Sequence, residues 1–186
     1  MKKPLLVLPI FSLAVPLIMI TVSIALSPWF NIVKNALSNL GHATRSSVAP
    51  LFNLGLSLGG VLAILTATIL ITRVSKVLAI SLCVSGYFLI LVAVFDEVYG
   101  KLHYWVSVAF FLSLGASLII YSLISRNTVK RVSALVLLIV AVTSWVLHIY
   151  YRIPSGAAIP ELISIFAIAP FYIDISLKSL EIQRYD

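Results

Sequence analysis

Six long apolar stretches separated by short polar ones divide the chain: Leu5–Leu26, Leu51–Ile71, Val77–Phe95, Leu102–Ile124, Val132–Tyr151 and Ile159–Leu177. Each is close to the roughly 20 residues that a helix needs to cross about 30 Å of hydrocarbon. Within them only Asp174, and His103, His148 and Glu161 near the edges, interrupt the apolar character. Backbone N–H and C=O groups in lipid must be paired within each segment, and runs of this length exclude the short alternating strands of a barrel. The pattern predicts an all-α membrane protein, a six-transmembrane-helix bundle forming one transmembrane domain over residues 1–186.

The connections carry the polar signal. The short second and fourth, Thr72–Lys76 and Ser125–Arg131, force consecutive helices to be antiparallel neighbours. The first, from Ser27 to Pro50, is longer and has a pattern of its own. Ser27 can cap and Pro28 can take the first helical position, after which Phe30, Val33, Leu37 and Leu40 recur at three- and four-residue spacing until Gly41. With Asn31, Lys34, Asn35 and Ser38 opposite, this spacing predicts a short amphipathic helix with Trp29 at headgroup level. It reads as an interfacial connector, with a lid as the alternative.

Charge orients the bundle. Of 13 Lys and Arg residues, Lys2, Lys3, Arg73, Lys76, Arg126, Lys130, Arg131, Lys178 and Arg184 fall on one side, against Lys34, Arg45, Lys101 and Arg152 on the other. The positive-inside rule then puts both termini in the cytoplasm. The net charge of +7 describes loops facing membrane lipids, and no basic stretch is long enough to track the phosphates of a nucleic acid. Asp174, four residues before Lys178, reads as half of an i, i+4 ion pair.

Composition agrees with the spans, at 61% hydrophobic and 10% charged, and leaves no soluble domain. Lys2-Lys3 before an apolar run resembles a signal peptide, but a run of 22 residues exceeds the usual 7–15-residue signal core, so a retained first span is expected. Cys83 is the single cysteine, so no intrachain disulfide forms. Gly55-Leu56-Ser57-Leu58-Gly59 has the GxxxG spacing that admits a second backbone, and Ser81 and Ser85 repeat it in the third span. These helices are expected at the centre, with oligomerisation a weaker implication. Pro9, Pro16 and Pro170 predict local bends.

His42, His103, His148, Asp96, Glu97 and Glu161 all fall on the outer side. In the fifth span Ser144, Trp145, His148, Tyr151 and Arg152 share one helical stripe running to the surface. His103 and Ser107 are one turn apart; Glu161 and Ser164, and Asn53 and Ser57, repeat the arrangement in two other spans. These heads predict an outward-facing polar pocket for a lipid, a metal or a small amphiphile. The candidate metal ligands are His103, His148 and Asp96, which suit zinc with an open position for water. Axial haem ligation by the two histidines is the lesser cofactor reading. The candidate catalytic groups are Glu161 and Ser38, and the ligand-binding set is Asn39, Asn53, Ser107, Ser144, Trp145, Tyr151 and Arg152. Ordinary explanations stand beside these: Glu161 follows Pro160 at a helix start, where a carboxylate suits the dipole, Asp96 and Glu97 lie in a short aqueous loop, and the serines can bond their own preceding carbonyls.

Phe95-Asp96-Glu97 followed by Leu102-His103, Ala36-Leu37-Ser38-Asn39-Leu40-Gly41, and Gly156 with Ile159-Pro160-Glu161 resemble, in order and spacing, domain-of-unknown-function family 998. These are small six-helix integral membrane proteins of archaea and bacteria. The resemblance spans essentially the whole chain and departs at Asp96, where the pattern has a proline. It implies the fold, singles out Ser38, Asn39, His103 and Glu161, and implies no activity. Three functional classes follow: a membrane protein binding a lipid or amphiphile at the outer pocket, a metal-dependent intramembrane lipid hydrolase, or a non-catalytic accessory subunit of a larger membrane complex or homo-oligomer. A transporter is disfavoured, because no charge lies near the midplane and no paired broken helices mark inverted repeats.

Overall fold

The computed structural model describes residue 5 and residues 7–185, with side chains as far as Ile182. Its helices are α1 (Val7–Ala25), α2 (Ala49–Ile69), α3 (Lys76–Val94), α4 (Lys101–Ile124), α5 (Thr128–Tyr151) and α6 (Ala158–Tyr185). All six are long and apolar enough to cross a membrane, and no strand occurs among the described residues. Lys2 and Lys3 of the inner charge set, and the Arg184 side chain, lie outside what is described. An even number of crossings brings the first, third and fifth connections together at the end remote from the termini, called here the distal end.

Boundaries move where capping, rather than hydropathy, decides them. Helix α5 starts at Thr128 because the Asn127 side chain accepts from the Lys130 N–H at 3.1 Å. Helix α6 continues past Leu177 to Tyr185, since Lys178 and Glu181 end an apolar run without ending a helix. Pro16 and Pro170 lie inside continuous helices.

The first connection is corrected. No α-helix runs from Pro28; turns lead to a five-residue 3-10 helix, Leu37–Gly41. Asn31 Oδ1 accepts from the Val33 and Lys34 N–H groups at 2.9 and 3.2 Å, and Asn35 Oδ1 accepts from the Asn31 N–H at 2.8 Å. Such local bonds offer the backbone an alternative to the helix. The three-residue spacing of Leu37 and Leu40 suits a 3-10 turn equally well, and both leucines are buried in the core.

Helix α2 lies between α1 and α3, and α4 packs on α3, α5 and α6. The Gly55 and Gly59 face of α2 receives side chains of α1: a methyl on Gly55 would stand 2.6 Å from Met19 Cβ, and one on Gly59 2.7 Å from Pro16 Cγ. The backbone-to-backbone approach falls one residue later. A methyl on Gly60 would meet the Gly86 carbonyl oxygen of α3 at 2.6 Å, and one on Gly86 would meet the Gly60 oxygen at 2.7 Å. Ser81 instead turns to α4, where its hydroxyl lies 2.8 Å from that of Ser117. At the other end, Asp174 pairs with Lys130 of α5 rather than with Lys178, and accepts from the Tyr121 hydroxyl of α4 at 2.6 Å. Helix α5 is the outlier, burying only Ala134 and Ala141.

Candidate functional site

The distal residues converge on the first connection. Glu97, in the loop between α3 and α4, accepts from Ser38 Oγ at 2.7 Å, while Asn39 Nδ2 reaches both carboxylate oxygens at 2.8 Å. The Asn39 amide is held in that orientation because its oxygen accepts from the Ala36 N–H at 2.9 Å. From the opposite side Glu161, only 8% exposed, accepts from the Leu37 N–H at 2.6 Å. That N–H opens the 3-10 helix and has no partner within it. Asn53 of α2 donates to the Gly41 carbonyl at 2.9 Å and closes its far end. One short helix is therefore gripped by α2, by α6 and by the loop between α3 and α4.

The segment between α5 and α6 completes the cap. Gly156 N–H donates to the Val33 carbonyl at 2.8 Å, Ala158 N–H to Asn35 at 3.0 Å, and Ser155 Oγ to Val33 at 3.2 Å. Gly156 is required there, because a methyl group would overlap the backbone of Lys34 and Asn35.

Two of the three histidines each hold a turn. His103 Nδ1 donates to the Phe95 carbonyl at 2.7 Å, and His148 Nδ1 to the Pro154 carbonyl at 2.8 Å. Since a carbonyl only accepts, the proton sits on Nδ1 in both, and in a neutral ring Nε2 keeps its lone pair. Ser107 lies 3.4 Å from that nitrogen of His103. Asp96, 8% exposed rather than solvated, caps its own loop by accepting from the Val98 N–H at 2.7 Å. Its φ of −63° falls within the range that proline imposes, so this backbone would also accept the proline expected at the position.

The expected site residues thus divide. Ser38, Asn39, Asn53 and Glu161 come together on the 3-10 helix, joined by Glu97, which the sequence left in the solvated loop. Trp145 donates to Ser164 Oγ at 3.0 Å, and Ser164 and Ser144 bond the carbonyls of Pro160 and Ala141 in their own helices. Tyr151 and Arg152 are exposed, and the His42 ring lies 3.4 Å from the Thr44 hydroxyl. Among the described residues no group of three or more His, Cys, Asp or Glu side chains is placed to hold a metal ion.

The internal space lies deeper. A cavity of about 100 Å³ at mid-depth is lined by α1, α2, α3, α4 and α6, with Pro16, Ala63, Leu82, Phe110 and Ile168 among its walls. Its polar lining groups are serines and a tyrosine: Ser12, whose hydroxyl lies 2.7 Å from that of Tyr172, and Ser85, which donates to the Ser81 carbonyl. A second apolar hollow opens sideways between α5 and α6, along Leu137, Val140, Leu162 and Phe166. None of the distal polar residues lines either space.

No curated protein and no solved structure matches the chain. The model of the family described as "Protein of unknown function (DUF998)" matches residues 10–174, which covers all of the distal cap and most of the six helices. The chain belongs to this family.

Proposed function

We propose that this multi-pass protein resides in the cell membrane, with both termini cytoplasmic, and binds a single apolar chain drawn from the bilayer. The mid-bundle cavity carries the reading. Five helices line it where membrane bundles are otherwise close-packed, and apolar space of this kind admits apolar guests: an engineered cavity of about 150 Å³ takes benzene. At about 100 Å³ the space suits the end of one alkyl or isoprenoid chain. The distal carboxylates and histidines argue against the hydrolase reading, because Glu97, Glu161, His103 and His148 are each engaged in holding the loops.

The test is photo-crosslinking of the purified protein with dodecyl diazirine, followed by peptide mapping. Labelling is expected on the cavity walls, at Leu82, Phe110 or Ile168, and loss of that labelling in the Ala63→Phe variant, which fills the space. Label confined to the lipid-facing surface, unchanged by Ala63→Phe, would sink the proposal. A second reading, a small subunit of a larger membrane complex, is favoured by α5, whose single buried stripe of two alanines leaves most of it free to be covered. Native mass spectrometry of gently solubilised membranes tests it.

A further inference from the structure

Among the described residues three buried hydroxyls near the distal end have no hydrogen-bond partner: Ser23, Ser27 and Ser46, at 0%, 3% and 6% exposure. They are exceptions in this chain. Ser12, Ser113, Ser117, Ser122, Ser164 and Ser176 all return their hydroxyls to a carbonyl three or four residues back. Buried polar groups are almost always satisfied, so an unmet cluster calls for a physical account.

Helix pairing and chain position bring the three to the same end of α1 and α2. Gly55 faces Met19 and Gly59 faces Pro16, which fixes the antiparallel pairing of α1 and α2. Carried outward along the two helices, it sets Ser23 level with Leu51 and Phe52; Ser27 lies just past the end of α1 at Ala25, and Ser46 just before the start of α2 at Ala49. Of the two adjacent serines Ser46 is buried and Ser47 exposed, so only the first belongs to the cluster. Along α1 the buried positions Ser12, Pro16, Ile20 and Ser23 form one stripe, which Ser27 continues. The lower part of that stripe, from Ser12 to Ile20, lines the cavity. At about 1.5 Å of rise per residue, Ser23 sits about 4.5 Å above Ile20, the last cavity-lining residue of α1, and Ser27 lies in the turn beyond it.

We infer that Ser23, Ser27 and Ser46 form the head site for the chain bound in the cavity, and that the ligand is a single-chain amphiphile with an uncharged, hydroxyl-bearing head. This rests on the cavity reading above and adds the identity of the head. Hydroxyls both donate and accept, so three of them match an alcohol or monoacyl ester without ordering a charge. The ionisable residues nearest in sequence are Arg45, which is exposed, and half-buried His42, whose backbone carbonyl takes the Ser46 N–H at 3.0 Å. Burying a carboxylate or phosphate head beside the serines would cost far more than burying an uncharged one.

The experiment compares dodecyl diazirine, its ω-hydroxyl counterpart and the corresponding carboxylate, each titrated to half-maximal labelling of the cavity walls. The hydroxyl probe is expected to saturate at about tenfold lower concentration than the headless one, the scale of one or two net hydrogen bonds, and the carboxylate to be the weakest. Ser23→Ala/Ser27→Ala/Ser46→Ala should erase the hydroxyl advantage while leaving the headless probe unchanged. Alanine keeps α1 helical and removes the unmet groups, so melting temperature should hold or rise. Equal labelling by the hydroxyl and headless probes, unaltered by the serine substitutions, would overturn the head site and leave the cavity reading standing. Failure of every probe to reach the cavity walls would overturn both.

Discussion

Glu97→Ala is the sharpest test of how the distal cap is held. The carboxylate takes one hydrogen from Ser38 and both of its oxygens lie within reach of Asn39. Hydrogen bonds to a carboxylate contribute about 1.5–3 kcal/mol each, and the partners are left without an acceptor when it goes. All three side chains are only half-buried, which lowers the yield, so two bonded partners together give about 3 kcal/mol toward closing the first connection. Trypsin reports that closure directly, because the exposed Lys34 and Arg45 flank the 3-10 helix. Where reclosing outpaces cleavage, the rate follows the open population, and losing about 3 kcal/mol raises it on the order of a hundredfold. Glu97→Gln should fall between, near tenfold. Its amide nitrogen would face the Asn39 amide, which cannot turn over because its oxygen is committed to Ala36. In the Glu97→Ala background, adding Ser38→Ala should change the rate little, the signature of a coupled pair. Wild-type cleavage at Lys34 and Arg45 in Glu97→Ala would refute the reasoning, since no other contact of Glu97 could then be credited with holding the loop.

Gly156→Ala should lower the thermal midpoint by roughly 5 °C or more, as the added methyl forces the segment off Lys34 and Asn35 and strains the bonds to Val33 and Asn35; an unchanged melt followed by circular dichroism would count against the close approach. Arg152 ends α5 in the left-handed region at φ 58° and ψ 34°. Arg152→Gly should therefore stabilise by about 0.5–1 kcal/mol, since glycine carries no Cβ penalty there. A lower midpoint would mean that the arginine side chain contributes something the backbone geometry does not reveal.

What the sequence disclosed, and what it hid, follows the range of the interactions involved. Six helices were legible because each is decided by its own run of apolar residues, whatever its neighbours. The ends of α5 and α6 were less so, because Asn127 caps and Lys178 continues a helix in ways that hydropathy does not register. The first connection misled for a related reason. Spacing of three and four residues is shared by an amphipathic α-helix and a 3-10 turn, and what selects the turn here is Asn31, Asn35 and the distant grip of Glu161 and Gly156. Glu97 was visible as a charge in a short loop, but its partners lie 58 and 59 residues earlier in the chain. Asp174 was given to Lys178 on its own helix, whereas packing delivers Lys130 from the next one. The three unmet serines could not be found from sequence at all, because an ordinary helical serine has a carbonyl available and only the folded surroundings reveal which ones do not use it.

The way the cap is fastened has a consequence for biosynthesis. Its first contacts are made early, since Asn53 follows Gly41 by 12 residues, but the Glu161 bond to Leu37 spans 124 residues and the Ser155 bond to Val33 spans 122. A chain emerging from the ribosome exposes the first connection while four helices have still to be inserted, and it cannot be sealed until the last of them arrives. Closing so long an interval is slow relative to the pairing of neighbouring helices. The distal cap therefore works as a record of completion: a product that stops before Gly156 can assemble most of its helical walls, yet it presents the first connection open at Lys34 and Arg45 to any protease on that side of the membrane.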